Sequence, residues 1–185
     1  IAGTIETVGA TIFHEFISED IGTTLSNNEG VVISYSLNIP IKDEGKFQNS
    51  QVDAMMNLFK PKIVVHLAAR VGGLLDNMSY PVDYLEENIL MNTNVIKACH
   101  KYNVEKVVGI LSTCIYPDKV SVYPMKEKDL FNGPPTPTNF SYGFAKRCMA
   151  AHIDSYVKQY DKKWCYLIPC NLYGEYDNFA NDSSH

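Results

Sequence analysis

Long apolar runs are missing from this chain. No stretch reaches the ~18 uninterrupted apolar residues that a membrane-crossing helix needs, so no transmembrane segment is expected. Basic residues are in the minority: 16 Lys and Arg stand against 21 Asp and Glu, for a formal net charge of -5. That balance argues against nucleic acid or a membrane as the main partner, but a small anion held by backbone amides remains compatible with it. The five cysteines, Cys99, Cys114, Cys148, Cys165 and Cys170, are odd in number and include no Cys-x-x-Cys pair. A metal site or a disulfide framework is therefore not expected, and a reducing cytoplasmic compartment is the default. No signal peptide is visible, and no internal repeat or low-complexity tract is evident. The first residue is Ile1 rather than Met, so the chain reads as a fragment or a trimmed form.

What is present is an alternation of two hydrophobic periods over 185 residues, a length suited to one domain with a substantial core. Short β-branched runs at 30–35, 62–67, 106–111 and 164–169 read as strands. Between them, 51–60, 84–102 and 141–160 read as helices; in the first, Val52, Met55, Met56 and Phe59 recur at helical spacing. Strands that are apolar throughout, alternating with helices, predict an α/β fold: a doubly wound, Rossmann-like parallel sheet covered on both faces. Residues 117–139 are rich in Pro and Gly and read as a loop, and 18–51 carry turn signals but no clear chemistry.

The strongest chemical signal is Tyr142-x-x-x-Lys146, downstream of Ser112. Residues i and i+4 share a helix face, so the Lys146 ammonium lies one turn from Tyr142 and is expected to favour the phenolate. Ser112 follows the 106–111 strand, and open α/β sheets bind ligands at the carboxyl ends of their strands. Serine, tyrosine and lysine together can hydrogen-bond a carbonyl and give it a proton. A Tyr-x-x-x-Lys spacing alone is common on amphipathic helices; the strand-end serine and the alternating pattern are what make it informative. The bland readings are that Cys99, Cys148, Cys165 and Cys170 are small buried hydrophobes, that His14, His100 and His152 are structural or solvated, and that Glu86-Glu87 is a solvated face.

Several segments carry a family resemblance. His66-Leu67-Ala68-Ala69-Arg70-Val71-Gly72-Gly73 resembles the HLAA-x-VGG stretch of the GDP-L-fucose synthases, which are extended short-chain dehydrogenase/reductases. Leu111-Ser112-Thr113-Cys114-Ile115-Tyr116-Pro117, Asn171-Leu172-Tyr173-Gly174 and Asp177-Asn178-Phe179 with Ser184-His185 do the same, so the match runs from about Lys60 to His185. The resemblance implies NADPH-dependent reduction at C4 of GDP-4-keto-6-deoxy-D-mannose after epimerisation at C3 and C5. It implies Ser112, Tyr142 and Lys146 as the reduction triad, and Cys114 and His185 as the epimerisation acid–base pair. It implies cofactor contacts from Gly3, Thr4, Ile5, Glu6, Thr7, Val8 and Gly9, and from Leu67, Ala68, Ala69, Leu111, Ser112, Lys146, Pro169, Asn171, Leu172 and His185. Asn171 and Asn178 would touch the GDP-sugar substrate. NADP is the implied cofactor, with NAD not excluded, no metal is implied, and the implied oligomer is a homodimer.

Four departures stand beside the match. In the glycine fingerprint Gly3-Thr4-Ile5-Glu6-Thr7-Val8-Gly9 the middle glycine is Glu6, whose side chain and charge oppose a pyrophosphate. The strand expected before Gly3 is essentially absent, and the chain stops at His185 before a substrate-binding domain, so residues 1–185 are expected to be the Rossmann-like domain alone. No arginine ends the 30–35 strand to receive a 2′-phosphate. The chain by itself is therefore expected to bind NADPH weakly. The competing readings are a GDP-mannose 3,5-epimerase-like enzyme, similar around Ser-x-Cys-Ile-Tyr-Pro, and a non-catalytic remnant or binding subunit.

Overall fold

A computed structural model of the chain describes residues 10–13, 30–33, 49–120 and 122–170. The elements are β1 (Ala10–Phe13), β2 (Gly30–Ile33), α1 (Asn49–Phe59), β3 (Ile63–His66), α2 (Leu74–Ser79), α3 (Pro81–Lys101), β4 (Lys106–Ile110), α4 (Phe140–Tyr160) and β5 (Cys165–Leu167). The five strands form one sheet in the order β1-β2-β3-β4-β5, and every pair is parallel. This is the Rossmann-like parallel architecture the alternation implied. Crossovers between successive parallel strands are right-handed, so α1, α3 and α4 share a layer, with α3 in the middle against both others. The expected absence of a first strand concerned the residues before Gly3, and residues 1–9 lie outside the described ones. Beside β3, the place that a doubly wound order gives to its first strand, stands β2, paired from Gly30↔Ile63 to Ile33↔His66.

The core lies between the sheet and the helical layer. Val52, Met55 and Met56 from α1, Val95, Ile96 and Cys99 from α3, and Met149, Ala150 and Ile153 from α4 close over Val64 and Val107. Strand residues alternate: Val64, His66, Val107 and Gly109 are buried, while Ile63 is 42% exposed and Val65 and Val108 are half-buried. The three long helices end alike, with Lys60, Asn103 and Asp161 in the left-handed region at φ 45°, 56° and 51°. After α3, the Val104 N–H reaches back to the Cys99 carbonyl at 2.9 Å, a Schellman-type closure that turns the chain straight into β4. α3 starts at Pro81, whose missing N–H costs nothing in a first helical turn.

His66 ends β3 inside this core. Its Nε2 lies 2.8 Å from Asn92 Oδ1 on α3, and Nδ1 has no partner among the described residues. Burial, reinforced by the Lys146 charge, pushes its pKa down to about 3 against an opposing pull from Asn92. A group depressed on folding takes up more protons unfolded than folded between those two values, so its contribution to stability is complete above pH 6.5 and is lost as pH falls towards 3. Acidification from pH 7 to pH 5 should therefore cost about 2 kcal/mol through this residue. Urea titrations of the chain and of His66→Gln at the two pH values should show the drop shrinking in the variant; an equal drop in both would remove His66 as its source.

Candidate active site

Because all strands run parallel, their carboxyl ends share one edge of the sheet, and the loops leaving that edge build the site. Leu67, Ala68 and Ala69 follow β3, the two alanines fully enclosed. Leu111 and Ser112 follow β4, and the Leu111 N–H bonds the Leu167 carbonyl of β5 at 2.9 Å, carrying the ladder one residue further. Ser112 is extended, at φ -156° and ψ 154°, and its Oγ accepts the Cys114 N–H at 3.3 Å. A serine in that position caps a helical turn, which is why the chain folds here into the single 3-10 turn Thr113–Ile115. Cys114 sits half-buried in that turn.

α4 packs against this turn and delivers the other groups. Lys146 is buried, 2% exposed, and its Nζ donates to the Ile110 carbonyl at the end of β4 at 2.8 Å. Tyr142 lies one turn earlier, with its ring centroid 5.8 Å from the Lys146 Nζ. The ring stands edge-on to Tyr84 of α3, with centroids 6.5 Å apart. From the residue just before α4, Asn139 Nδ2 donates to Cys114 Sγ at 3.3 Å. Ser112 is thus bracketed in sequence by Ile110, which holds Lys146, and Cys114, which Asn139 contacts.

Electrostatics here run opposite to the expectation that Lys146 favours the phenolate. Burial, with the Cys114 charge adding to it, pushes the Tyr142 phenol well above the ordinary tyrosine range. Burial also pushes Lys146 down to about 8. Desolvation moves both groups towards their neutral forms, so at neutral pH Tyr142 is a protonated acid.

Side chains from three directions fix the loops. Arg147, next to Lys146 and 4% exposed, donates through Nε to the Ile115 carbonyl and through Nη1 to the Gly133 carbonyl, both at 2.6 Å. Asn88 clamps the backbone of Arg70, accepting its N–H at 2.9 Å and donating to its carbonyl at 3.1 Å. Arg70 reaches Glu87 at 2.5 Å and Asp83 at 3.4 Å, so Glu87 is part of a half-buried ion pair rather than the solvated face expected of it. Tyr84 donates its hydroxyl to Asp76, and Asn77 Nδ2 bonds the Gly72 and Gly73 carbonyls at 3.0 and 3.1 Å.

Of the sequence-predicted site residues, the structure brings Leu67, Ala68, Ala69, Leu111, Ser112, Cys114, Tyr142, Lys146 and Pro169 to the sheet edge or the helix facing it. Residues 3–9, Asn171, Leu172, Asn178 and His185 lie outside the described residues. Asn139, Asn88 and Arg147 were not singled out. Asn139 carried a readable signal, an Asn just ahead of an apolar helical period. Arg147 carried none, because arginine on a helix is ordinarily solvated. Cys99 is buried as expected, but Cys148 and Cys170 are exposed and Cys165 is half-buried, which corrects the reading of all four as buried hydrophobes. Among the described residues no cluster of His, Cys, Asp or Glu could hold a metal ion, and no helix is long and apolar enough to cross a membrane.

A parallel sheet with Ser112 at a strand end and Tyr142 and Lys146 on the facing helix coincides with one sequence family. The profile of the NAD dependent epimerase/dehydratase family matches residues 26–185. The chain belongs to that family. It is 47% identical over 126 residues to the GDP-L-fucose synthase of Dictyostelium discoideum, covering 68% of the chain and 39% of that protein. It is 42% identical over 144 residues to the probable GDP-L-fucose synthase of Drosophila melanogaster, covering 78% and 44%. A solved GDP-L-fucose synthetase from Naegleria fowleri bound to NADP superposes with a TM-score of 0.66 at 35% identity, over 75% of this chain and 46% of that one. The chain thus spans less than half the length of these relatives.

The VGG loop yields a test between adjacent residues. A Cβ on Gly72 would lie 2.1 Å from the Tyr84 hydroxyl and 2.8 Å from Asp76 Oδ2, whereas one on Gly73 would meet nothing within 4 Å. Gly72→Ala should therefore lower stability by about 1–3 kcal/mol, as overpacking does, and Gly73→Ala should change it by less than about 0.5 kcal/mol. Thermal or urea unfolding of the two variants decides it; equal effects would contradict the packing described.

Proposed function

We propose that this chain is the cofactor-side domain of an enzyme that epimerises C3 and C5 of GDP-4-keto-6-deoxy-D-mannose and then reduces C4, giving GDP-L-fucose. The observation that carries the reading is a thiol, Cys114, on the turn that Ser112 caps, beside the helix bearing Tyr142 and Lys146. A reductase alone needs the serine, tyrosine and lysine; a thiol with access to the same carbonyl adds the means to move protons at the neighbouring carbons.

In this scheme a ketone at C4 acidifies the protons at C3 and C5. Cys114 and His185 act on opposite faces of the sugar, one removing a proton while the other returns one, so each centre inverts without net change in proton count. Ser112 hydrogen-bonds the C4 oxygen. Tyr142, held protonated by its buried setting, gives its proton to that oxygen during reduction. Among the described residues Lys146 suits a nicotinamide cofactor: it spends one donor on Ile110, and its remaining N–H groups match ribose hydroxyls; Glu6, in the fingerprint, is the residue that departs from the fit. NADPH, when bound, supplies the hydride. Leu67, Leu111, Pro169, Asn171 and Leu172 would complete its pocket, with residues 3–9 at the pyrophosphate and Asn171 and Asn178 towards the GDP-sugar. The acting unit in this proposal is a cytoplasmic homodimer.

The two half-reactions separate by isotope. In the full-length enzyme, Cys114→Ser should slow solvent deuterium entry at C3 and C5 by about 10²-fold or more, as loss of a general acid–base group does. Tyr142→Phe should slow hydride transfer by a similar factor and leave the exchange largely intact. Mass spectrometry of recovered sugar nucleotide reads the first and NADPH absorbance the second. Exchange that survives in Cys114→Ser would exclude Cys114 from the mechanism and favour a plain reductase.

A further inference from the structure

We propose that Asn139 is a positioning residue that sets the protonation balance of Cys114, an inference that rests on the acid–base role proposed above. Asn139 occupies the N-cap of α4, where an asparagine side chain ordinarily accepts an N–H of the first helical turn. Here it makes no cap bond, and its Nδ2 instead donates to Cys114 Sγ at 3.3 Å. Its Oδ1 is buried and has no partner among the described residues. A side chain that gives up its capping bond for a sulfur is placed for that sulfur.

The chemistry asks for such a neighbour. A thiol that takes and returns a proton must be stable enough in both states. The amide donates to the thiolate as it stands; turned about its terminal torsion, it presents an oxygen, now uncommitted, to the S–H of the thiol. The helix end supports the charged state. A Cβ on Gly143 would lie 3.0 Å from the Cys114 carbonyl oxygen and 2.9 Å from Pro135 Cβ, so the first turn of α4 lies directly against the Cys114 backbone. The positive end of the α4 dipole is therefore turned to the segment that carries the sulfur. Of the titratable groups on α4, Tyr142 is the one on which the Cys114 charge acts, and Lys146, one turn further, is committed to Ile110. Asn139 is the uncharged member of the set and the one bonded to the sulfur itself.

Asn139→Asp tests this cleanly. It is isosteric, and Asp caps helices as well as Asn, so a merely capping role predicts no loss. A carboxylate beside the sulfur would instead oppose the thiolate. Alkylation by iodoacetamide, a neutral reagent, is followed across pH by peptide mass spectrometry, with exposed Cys148 on the same helix as internal reference. Alkylation of Cys114 near neutral pH should fall about tenfold in Asn139→Asp and its profile should move to the alkaline side, while Asn139→Ala gives a smaller shift in the same direction. The Cys148 profile should stay where it is. An unmoved Cys114 profile in Asn139→Asp overturns the inference, whatever Cys114→Ser does to isotope exchange; unchanged exchange in Cys114→Ser overturns the acid–base reading instead. In the full-length enzyme the same Asn139→Asp substitution should lower exchange at C3 and C5 several-fold more than hydride transfer, and equal losses in both steps would also count against it.

Discussion

A buried ammonium holds the helical layer to the working edge of the sheet. Taking a lysine charge out of water is costly, and here the only direct partner described for the Lys146 Nζ is a neutral carbonyl, that of Ile110. The cost shows as a pKa pushed down to about 8. What it secures is register: with Nζ tied to the last residue of β4, the turn before Lys146 must present Tyr142 to the loop after β4. The same charge helps keep His66 neutral at the end of β3. One side chain thus adds to the burial that keeps a core histidine neutral and fixes the placement of the site's acid.

Arg147 completes the hold from the adjacent position. Lys146 grips the strand end, and Arg147 grips two carbonyls of the segment that follows, Ile115 and Gly133. Between them they anchor the return from β4 to α4, a stretch with no long element of its own. Their bonds are buried charge-to-carbonyl contacts, which count for more than the exposed Lys101–Asp53 pair, whose lysine is 59% exposed. On the other side of the edge, Asn88 and Tyr84 of α3 hold Arg70 and Asp76, so four helix-borne side chains converge on one rim.

How much of this was legible in the sequence divides along physical lines. The alternation of strand and helix read well because the period is written in apolar side chains: Val52, Met55 and Met56 of α1 are in the core, as their spacing implied. α2 was not foreseen, since its apolar residues Leu74, Leu75 and Met78 are exposed and its buried residue is Asn77. β1 was missed because a four-residue run carries little periodicity. Cys148 and Glu87 were misjudged because residue type predicts average burial, whereas the neighbours of α3 and α4 determined theirs.

The sequence by itself determined the chemical inventory and its local spacing. Tyr142 and Lys146 share a helix face, and Cys114 follows Ser112 by two residues just past the β-branched run of β4, because these relations depend on local order and backbone geometry. The direction of Tyr142's titration, the turning of Asn139 from its helix to a sulfur, and the bond from Lys146 to Ile110 were decided by tertiary structure. Each depends on what is brought near across 25 or more positions of chain, and it is desolvation, which local spacing does not encode, that moves the Tyr142 phenol upward.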